Sequence, residues 1–272
     1  MKMKIFFTFY LLLQFSLSAE PFQVGELLRY KIVWKFMTVG YSTMGVPGTI
    51  PCGKYNCYIF LSTAKGTSFI DKFFPVEDRI TSFWIPELKK PVWTEKNLNE
   101  GNFHKKYNAA FHLKEKKATW TLEQISGNSN RPKIKRKDAV WKYKHGTTYS
   151  LPDDFQDILS AVYYMRGFDT KKDLGQSFEI QLFDDLKLSV LKVKIIKQEE
   201  LKLVVNGKTK IYNSIATEPY FHTSGVFQSA GNIRLWISTD YRRIPLRIQA
   251  KIPYIGSILV ELEEDNLQKI EK

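Results

Sequence analysis

The chain has 272 residues, 14% of them aromatic and 25% charged, with a formal net charge of +13. That length supports a sizeable buried core, in one domain or two. So basic a chain in the cytoplasm would point first to nucleic acid, but its N-terminus excludes that partner.

Lys2 and Lys4 open the chain, Ile5 to Phe15 is apolar apart from Thr8 and Gln14, and Ser16, Ser18 and Ala19 supply small residues. This layout predicts a secretory signal peptide over residues 1–19, too short and wrongly flanked to span a membrane. Glu20 rather than a cysteine follows, so no lipid anchor is indicated. The expected location is extracytoplasmic, in the periplasm. There the available polyanions are lipid headgroups, acidic polysaccharides and other envelope polymers, with no nucleic acid. No later stretch reaches the roughly 18 apolar residues of a membrane span.

From Leu28 the dominant period is two. Leu28, Tyr30, Ile32, Trp34 and Phe36 alternate with Arg29, Lys31, Val33 and Lys35, the pattern of a half-buried antiparallel strand. Similar runs cover 58–64, 79–85, 106–113, 119–123, 140–144, 178–183 and 186–196. Runs at 201–205 and 208–215 flank Asn206-Gly207, the strongest short hairpin signal. The last strands are expected at 233–238, 244–252 and 257–263. One segment departs from this. After Pro152-Asp153-Asp154, residues Phe155, Ile158, Leu159, Val162 and Tyr163 fall at helical spacing, which predicts a short amphipathic helix from Asp154 to Arg166. The fold class is all-β: a strongly curved antiparallel meander, or partly open barrel, with one helix. Residues 20–272 are expected to form a single domain.

Cys52 and Cys57 enclose Gly-Lys-Tyr-Asn. Two close cysteines in an oxidising compartment predict a disulfide, and the spacing does not fit a thioredoxin-like redox motif. No histidine lies nearby, so neither a metal nor any other cofactor is expected.

Four blocks carry a family resemblance. They are 21–30 followed by Val39-Gly40; 74–82 with Asp78-Arg79; 157–166; and 235–238 continuing through Asp240, Arg242-Arg243-Ile244-Pro245 to Ile255-Gly256-Ser257. In this order and spacing they resemble the exported bacterial family called domain of unknown function 3108. The resemblance implies a curved, part-closed antiparallel sheet like that of lipid-binding envelope proteins. It implies no activity, cofactor or catalytic residue.

Among the polar residues of those blocks, Asp78 and Asp240 form the one carboxylate pair to test as acid and base of a polysaccharide hydrolase. The stronger reading of Asp78, Arg79, Asp157, Arg166, Asp240, Arg243 and Arg247 is structural, as turn caps and ion pairs. No nucleophile elbow, metal-binding helix or phosphate loop is present. Tyr30, Trp34 and Trp236 are expected either as core or as the lining of a pocket for an amphiphile or sugar. The basic run with Lys133, Lys135, Arg136 and Lys137 is a solvated loop able to meet an anionic headgroup or glycan. The leading expectation is a noncatalytic envelope protein that binds or escorts an anionic or amphiphilic envelope component: lipid, lipoprotein or glycan. The alternatives are the hydrolase and a structural partner of an outer-membrane assembly that uses a sheet edge.

Overall fold

A computed structural model describes residues 20–125, 141–168, 175–221, 233–252 and 256–267. The expected signal peptide and the basic run at 133–137 lie outside them. The strands are β1 Leu27–Trp34, β2 Met37–Cys52, β3 Tyr55–Gly66, β4 Glu77–Ile85, β5 Lys90–Glu100, β6 Phe103–His112, β7 Lys117–Ile125 and β8 Lys142–Tyr149. After them come β9 Phe155–Gln156, helix α1 Ile158–Arg166, β10 Ser177–Asp184, β11 Lys187–Val205, β12 Lys208–Phe221, β13 Ile233–Ser238, β14 Pro245–Ile252 and β15 Gly256–Asp265.

All fifteen strands belong to one sheet with β1 at its centre. One wing runs outward from β2 to β8, and the other from β15 back to β9. The pairings are antiparallel, as consecutive hairpins require, except that β9 lies parallel to β10. The seam joins the two ends of the chain: Tyr30 pairs with Leu262 and Trp34 with Ile258. The Asn206-Gly207 hairpin forms as expected, both residues taking the positive φ that such a turn needs.

Among the described residues the sheet curls but does not close through hydrogen bonds, since β8 and β9 remain the ends of its order. Side chains bridge the wings instead. Phe111 on β6 packs edge-on against Phe155 on β9 and Phe183 on β10, at 4.9 and 5.8 Å. Lys96 on β5 and Lys105 on β6 meet Asp184 and Asp185 at the β10–β11 turn. Burial opposes the Lys96 charge, but the two aspartates outweigh it and hold its pKa above the ordinary value.

Helix α1 lies inside the curl. Asp157 caps it, accepting from the backbone N–H groups of Leu159 and Ser160 at 2.9 and 3.0 Å, while Ser160 Oγ accepts from the Asp157 N–H. Asp157 also accepts from Ser82 Oγ on β4 at 2.5 Å, tying the helix start to one wing. One helix face, with Leu159 and Tyr163, enters the central core beside Phe22, Tyr30, Phe60, Trp84 and Trp236. The other, with Ala161 and Met165, packs on Ile180, Leu182 and Leu191 of the second wing.

Several expectations are corrected in detail. The helix starts at Ile158, because Phe155 and Gln156 pair with β10 and Asp157 caps from outside. Runs 186–196 and 201–205 form one strand, β11, which crosses the polar stretch with a register shift between Ile195 and Lys197. Phe36 is not on the buried face of β1. It lies in the β1–β2 turn and is fully exposed. Cys52 and Cys57 form the expected disulfide, which ties β2 to β3 beside their turn.

Candidate functional site

Three of the family-like polar residues, Arg166, Asp240 and Arg243, gather with Glu26, Arg242 and Asp265 around a buried clasp. Arg166, from the last turn of α1, is 1% exposed and holds Glu26 in a two-pronged pair at 2.6 and 2.9 Å. It also donates to the carbonyls of Pro21 and Arg242, at 2.7 and 2.9 Å. Arg242, in the β13–β14 turn, donates to Glu26 at 3.0 Å and to both oxygens of Asp265, at 2.7 and 3.1 Å. Burial opposes the Arg242 charge, but Asp265 and Glu26 outweigh it and raise its pKa. Arg243 donates to the Arg166 carbonyl at 3.1 Å and so satisfies one of the orphan acceptors at the helix end. Asp240 accepts from Ser238 Oγ and from the N–H groups of Arg242 and Arg243, which shapes the turn that presents them. With the buried charges of Arg166, Arg242, Glu26 and Asp265 paired to one another, this cluster suits fixing the chain ends and helix onto the sheet.

Tyr30 and Trp236 are enclosed in the central core. Tyr30 donates to the Pro245 carbonyl at 3.0 Å, and burial pushes its hydroxyl pKa well up. Trp236 donates to Glu199 at 2.9 Å, with the guanidinium groups of Arg234 and Arg247 over its ring. Arg247 in turn donates to Glu261. Trp34 is half-buried at the far end of β1, with Lys35 above its ring.

Asp78 and Asp240 serve different places: Asp240 its own turn, Asp78 the edge of β5. Asp78 accepts from the Asn99 N–H at 2.9 Å and shares a hydrogen bond with Glu100, a partner the sequence did not disclose. Partial burial raises both pKa values, and the neighbouring Asp78 charge raises Glu100 further. A glycosidase pair is held about 5–10 Å apart around the bond it cleaves, whereas carboxyls in hydrogen-bond contact leave no room for one. Raised folded-state values mean that these groups favour the fold most below the ordinary carboxyl range, near about pH 4. That contribution is lost as pH rises through the shifted values. Glu100→Gln is therefore expected to raise the melting temperature by about 2 °C at pH 7 and less at pH 4. Thermal melts at both pH values check this, and an equal change at each would refute it.

Beside this pair an outer cleft of about 620 Å³ opens. Glu77 and Arg79 of β4, Asn97 and Asn99 of β5, His104, Lys105 and Lys106 of β6, and Trp141 line it. Asn99 organises one wall, donating to the Glu77 carbonyl and meeting His104 Nδ1 at 2.9 Å. Lys105 is committed to Asp185. Arg79 and Lys106 are exposed, and among the described residues neither has an ion pair or side-chain hydrogen bond. Trp141 adds an aromatic ring, 42% exposed. Arg79 is thus the one expected polar residue that lines an open cleft. His104, Lys106 and Trp141 carried no motif to mark them.

A single curled sheet, stitched across its opening by side chains, defines a β-barrel-like class of protein. Within it, the chain belongs to the family described as Protein of unknown function (DUF3108), which it matches over residues 29–263. No curated protein matches it. It is similar to the crystal structure of a β-barrel-like protein of domain of unknown function DUF1849 from Brucella abortus. Their identity is 10% and the TM-score 0.53, over 90% of this chain and 98% of that one. A protein from Bacteroides fragilis described as exported, with a YmcC-like fold, matches at 7% identity and a TM-score of 0.36, over 90% and 97% of the two chains. Among the described residues, no helix is long and apolar enough to cross a membrane.

Proposed function

We propose that this is a noncatalytic envelope protein that binds an anionic envelope component, a phosphorylated headgroup or an acidic glycan, in the outer cleft. The observation that carries the reading is the pairing of two uncommitted cations, Arg79 and Lys106, with the exposed ring of Trp141 in one cleft. A guanidinium and an ammonium without partners among the described residues keep their donors for a ligand anion, and an aromatic face suits a sugar or acyl stem. The basic charge of the chain favours the same class of ligand. The envelope location rests on the signal-like residues 1–19. The structural-partner reading has less support, because the edge strand β8 carries Lys142 and Lys144, charges that discourage edge pairing.

Titration with a soluble acidic oligosaccharide and, separately, with glycerol phosphate, followed by tryptophan fluorescence, tests the reading. The double variant Arg79→Gln/Lys106→Gln is expected to weaken binding at least about tenfold, since a hydrogen bond to a charged group contributes about 1.5–3 kcal/mol. Unchanged affinity in that variant, or no binding of either probe by the wild type, would reject it.

A further inference from the structure

Antiparallel hairpins place alternate turns on opposite rims of the sheet. One rim holds the clasp, the disulfide and the Asn206-Gly207 turn. The other holds the β1–β2 turn, the 67–76 loop between β3 and β4, and the β5–β6 turn at Gly101. On this second rim large apolar side chains stand in solvent. Phe36 is 102% exposed, Phe73 73% and Phe69 62%, with Met37 and Phe74 about half exposed. These turns are neighbours. The Thr67 N–H donates to the Val39 carbonyl, and the Gly101 N–H to the Pro75 carbonyl.

Two observations show that this exposure is built. The 67–76 loop is held by its own hydrogen bonds: Asp71 N–H to Thr67 O, Phe73 and Phe74 N–H to Ile70 O, and Gly66 N–H to Val76 O, all 2.8–3.0 Å. It is a fixed platform that presents phenyl rings outward. The β1–β2 turn, moreover, puts Lys35 at φ 44° and Phe36 at φ 71°. A two-residue turn of this kind favours Asn-Gly, and a bulky residue at positive φ is strained. The opposite rim does use Asn206-Gly207. Here strain is accepted and a fully exposed phenylalanine is kept, the combination that marks a working position.

Around these rings stand Lys35, Lys65, Lys72 and Lys251, all exposed and, among the described residues, without an ion pair, although Glu77 lies opposite Lys65 in the β3–β4 register. Asp71 is turned inward onto the Val76 N–H. Apolar tips ringed by unpaired lysines complement an interface that is negative outside and apolar within. We infer that this rim docks onto an anionic lipid bilayer. Phe36, Phe69 and Phe73 enter the headgroup–acyl boundary, and the lysines bind the surface charge. The outer cleft is lined from the same ends of β4, β5 and β6, but the inference stands without it.

Vesicle co-sedimentation tests it, with the chain from Glu20 onward, which holds every described strand and the helix. Vesicles of phosphatidylcholine alone and with phosphatidylglycerol are compared at low and high salt. The variant Phe36→Ser/Phe69→Ser/Phe73→Ser is expected to lower partitioning onto the anionic vesicles by about tenfold or more at any salt. Lys35→Gln/Lys65→Gln/Lys72→Gln is expected to lower it about tenfold or more at low salt and little near 1 M, where the screening length falls to about 3 Å. All substituted side chains are exposed, and unchanged thermal melts confirm folding. Arg79→Gln/Lys106→Gln separates the two proposals, since it impairs the cleft and leaves the phenyl-dependent part intact. The inference is overturned if the wild type ignores anionic vesicles or if the phenylalanine variant partitions like it. A wild-type dimer in solution, abolished by the same variant, would also overturn it and assign the rim to self-association.

Discussion

Arg166→Met is expected to lower the melting temperature by about 6–12 °C and to reduce soluble yield. Arg166 is the residue through which α1, the segment before β1 and the β13–β14 turn are joined. Methionine keeps much of the stem but strands the Glu26 carboxylate in a site that is 0% exposed at the side chain. Breaking one partner of a buried ion pair costs about 3–5 kcal/mol, a large part of the about 5–15 kcal/mol that holds a domain together. Arg242 still faces Glu26 at 3.0 Å, so the lower end of that range applies. Arg166→Lys restores the charge without the planar fork and should fall between the two. A Met variant that melts within 2 °C of wild type, the margin expected of a surface change, would show that the clasp contributes little.

Phe60→Ala is expected to cost about 3–5 kcal/mol, the usual loss for emptying a buried phenyl site. Phe60 is 0% exposed and stacks on Tyr163 of the helix with ring centroids 3.8 Å apart. Phe22 and Trp84 pack against it at 5.3 and 5.6 Å. The cavity would open between helix and sheet, where neither neighbour can close in without leaving its own contacts. Denaturant melts should show a lower midpoint with an unchanged slope. A reduced slope would instead mean that the helix has left the curl.

Much of the fold was legible because half-buried strands write their geometry as alternation. The clearest cases are the run from Leu28 and the pair of strands around Asn206-Gly207. The strand β2 was not, since Gly40, Gly45, Gly48, Pro47 and Pro51 look like turn residues. Gly45 is there because a Cβ would lie 2.6 Å from the Glu26 carbonyl, a close approach with no periodic signature. β5 was hidden by its polar content, Lys90 to Glu100, and β9 by the helical spacing that Phe155 happens to share with α1. Arg166, Arg243, Asp157 and Asp240 stood out in the sequence as polar residues of the family-like blocks. That Glu26, Ser82 and Asp265 pair with Arg166, Asp157 and Arg242 was not readable, because only the curled sheet brings them together. The exposed phenylalanines were missed for a simpler reason. A phenyl group in a strand-like stretch is assigned to the core, and only the turn at Lys35-Phe36 shows otherwise.

The seam between β1 and β15 bears on how the molecule comes into being. The Leu27 N–H donates to Asn266 Oδ1, 239 residues away. Loop closure on that scale carries a large entropy cost before any contact offsets it, and topologies dominated by such pairings fold slowly. A chain synthesised from its N-terminus delivers β1 first and β15 last. Through that interval β1 offers an open edge in the middle of what will become the sheet, the kind of surface that recruits wrong strands. Tyr30 and Leu28 wait for their cover, and Glu26 for the second of its arginines. Registration of the whole barrel-like wrap is thus decided at the end of delivery, by the last strand to arrive.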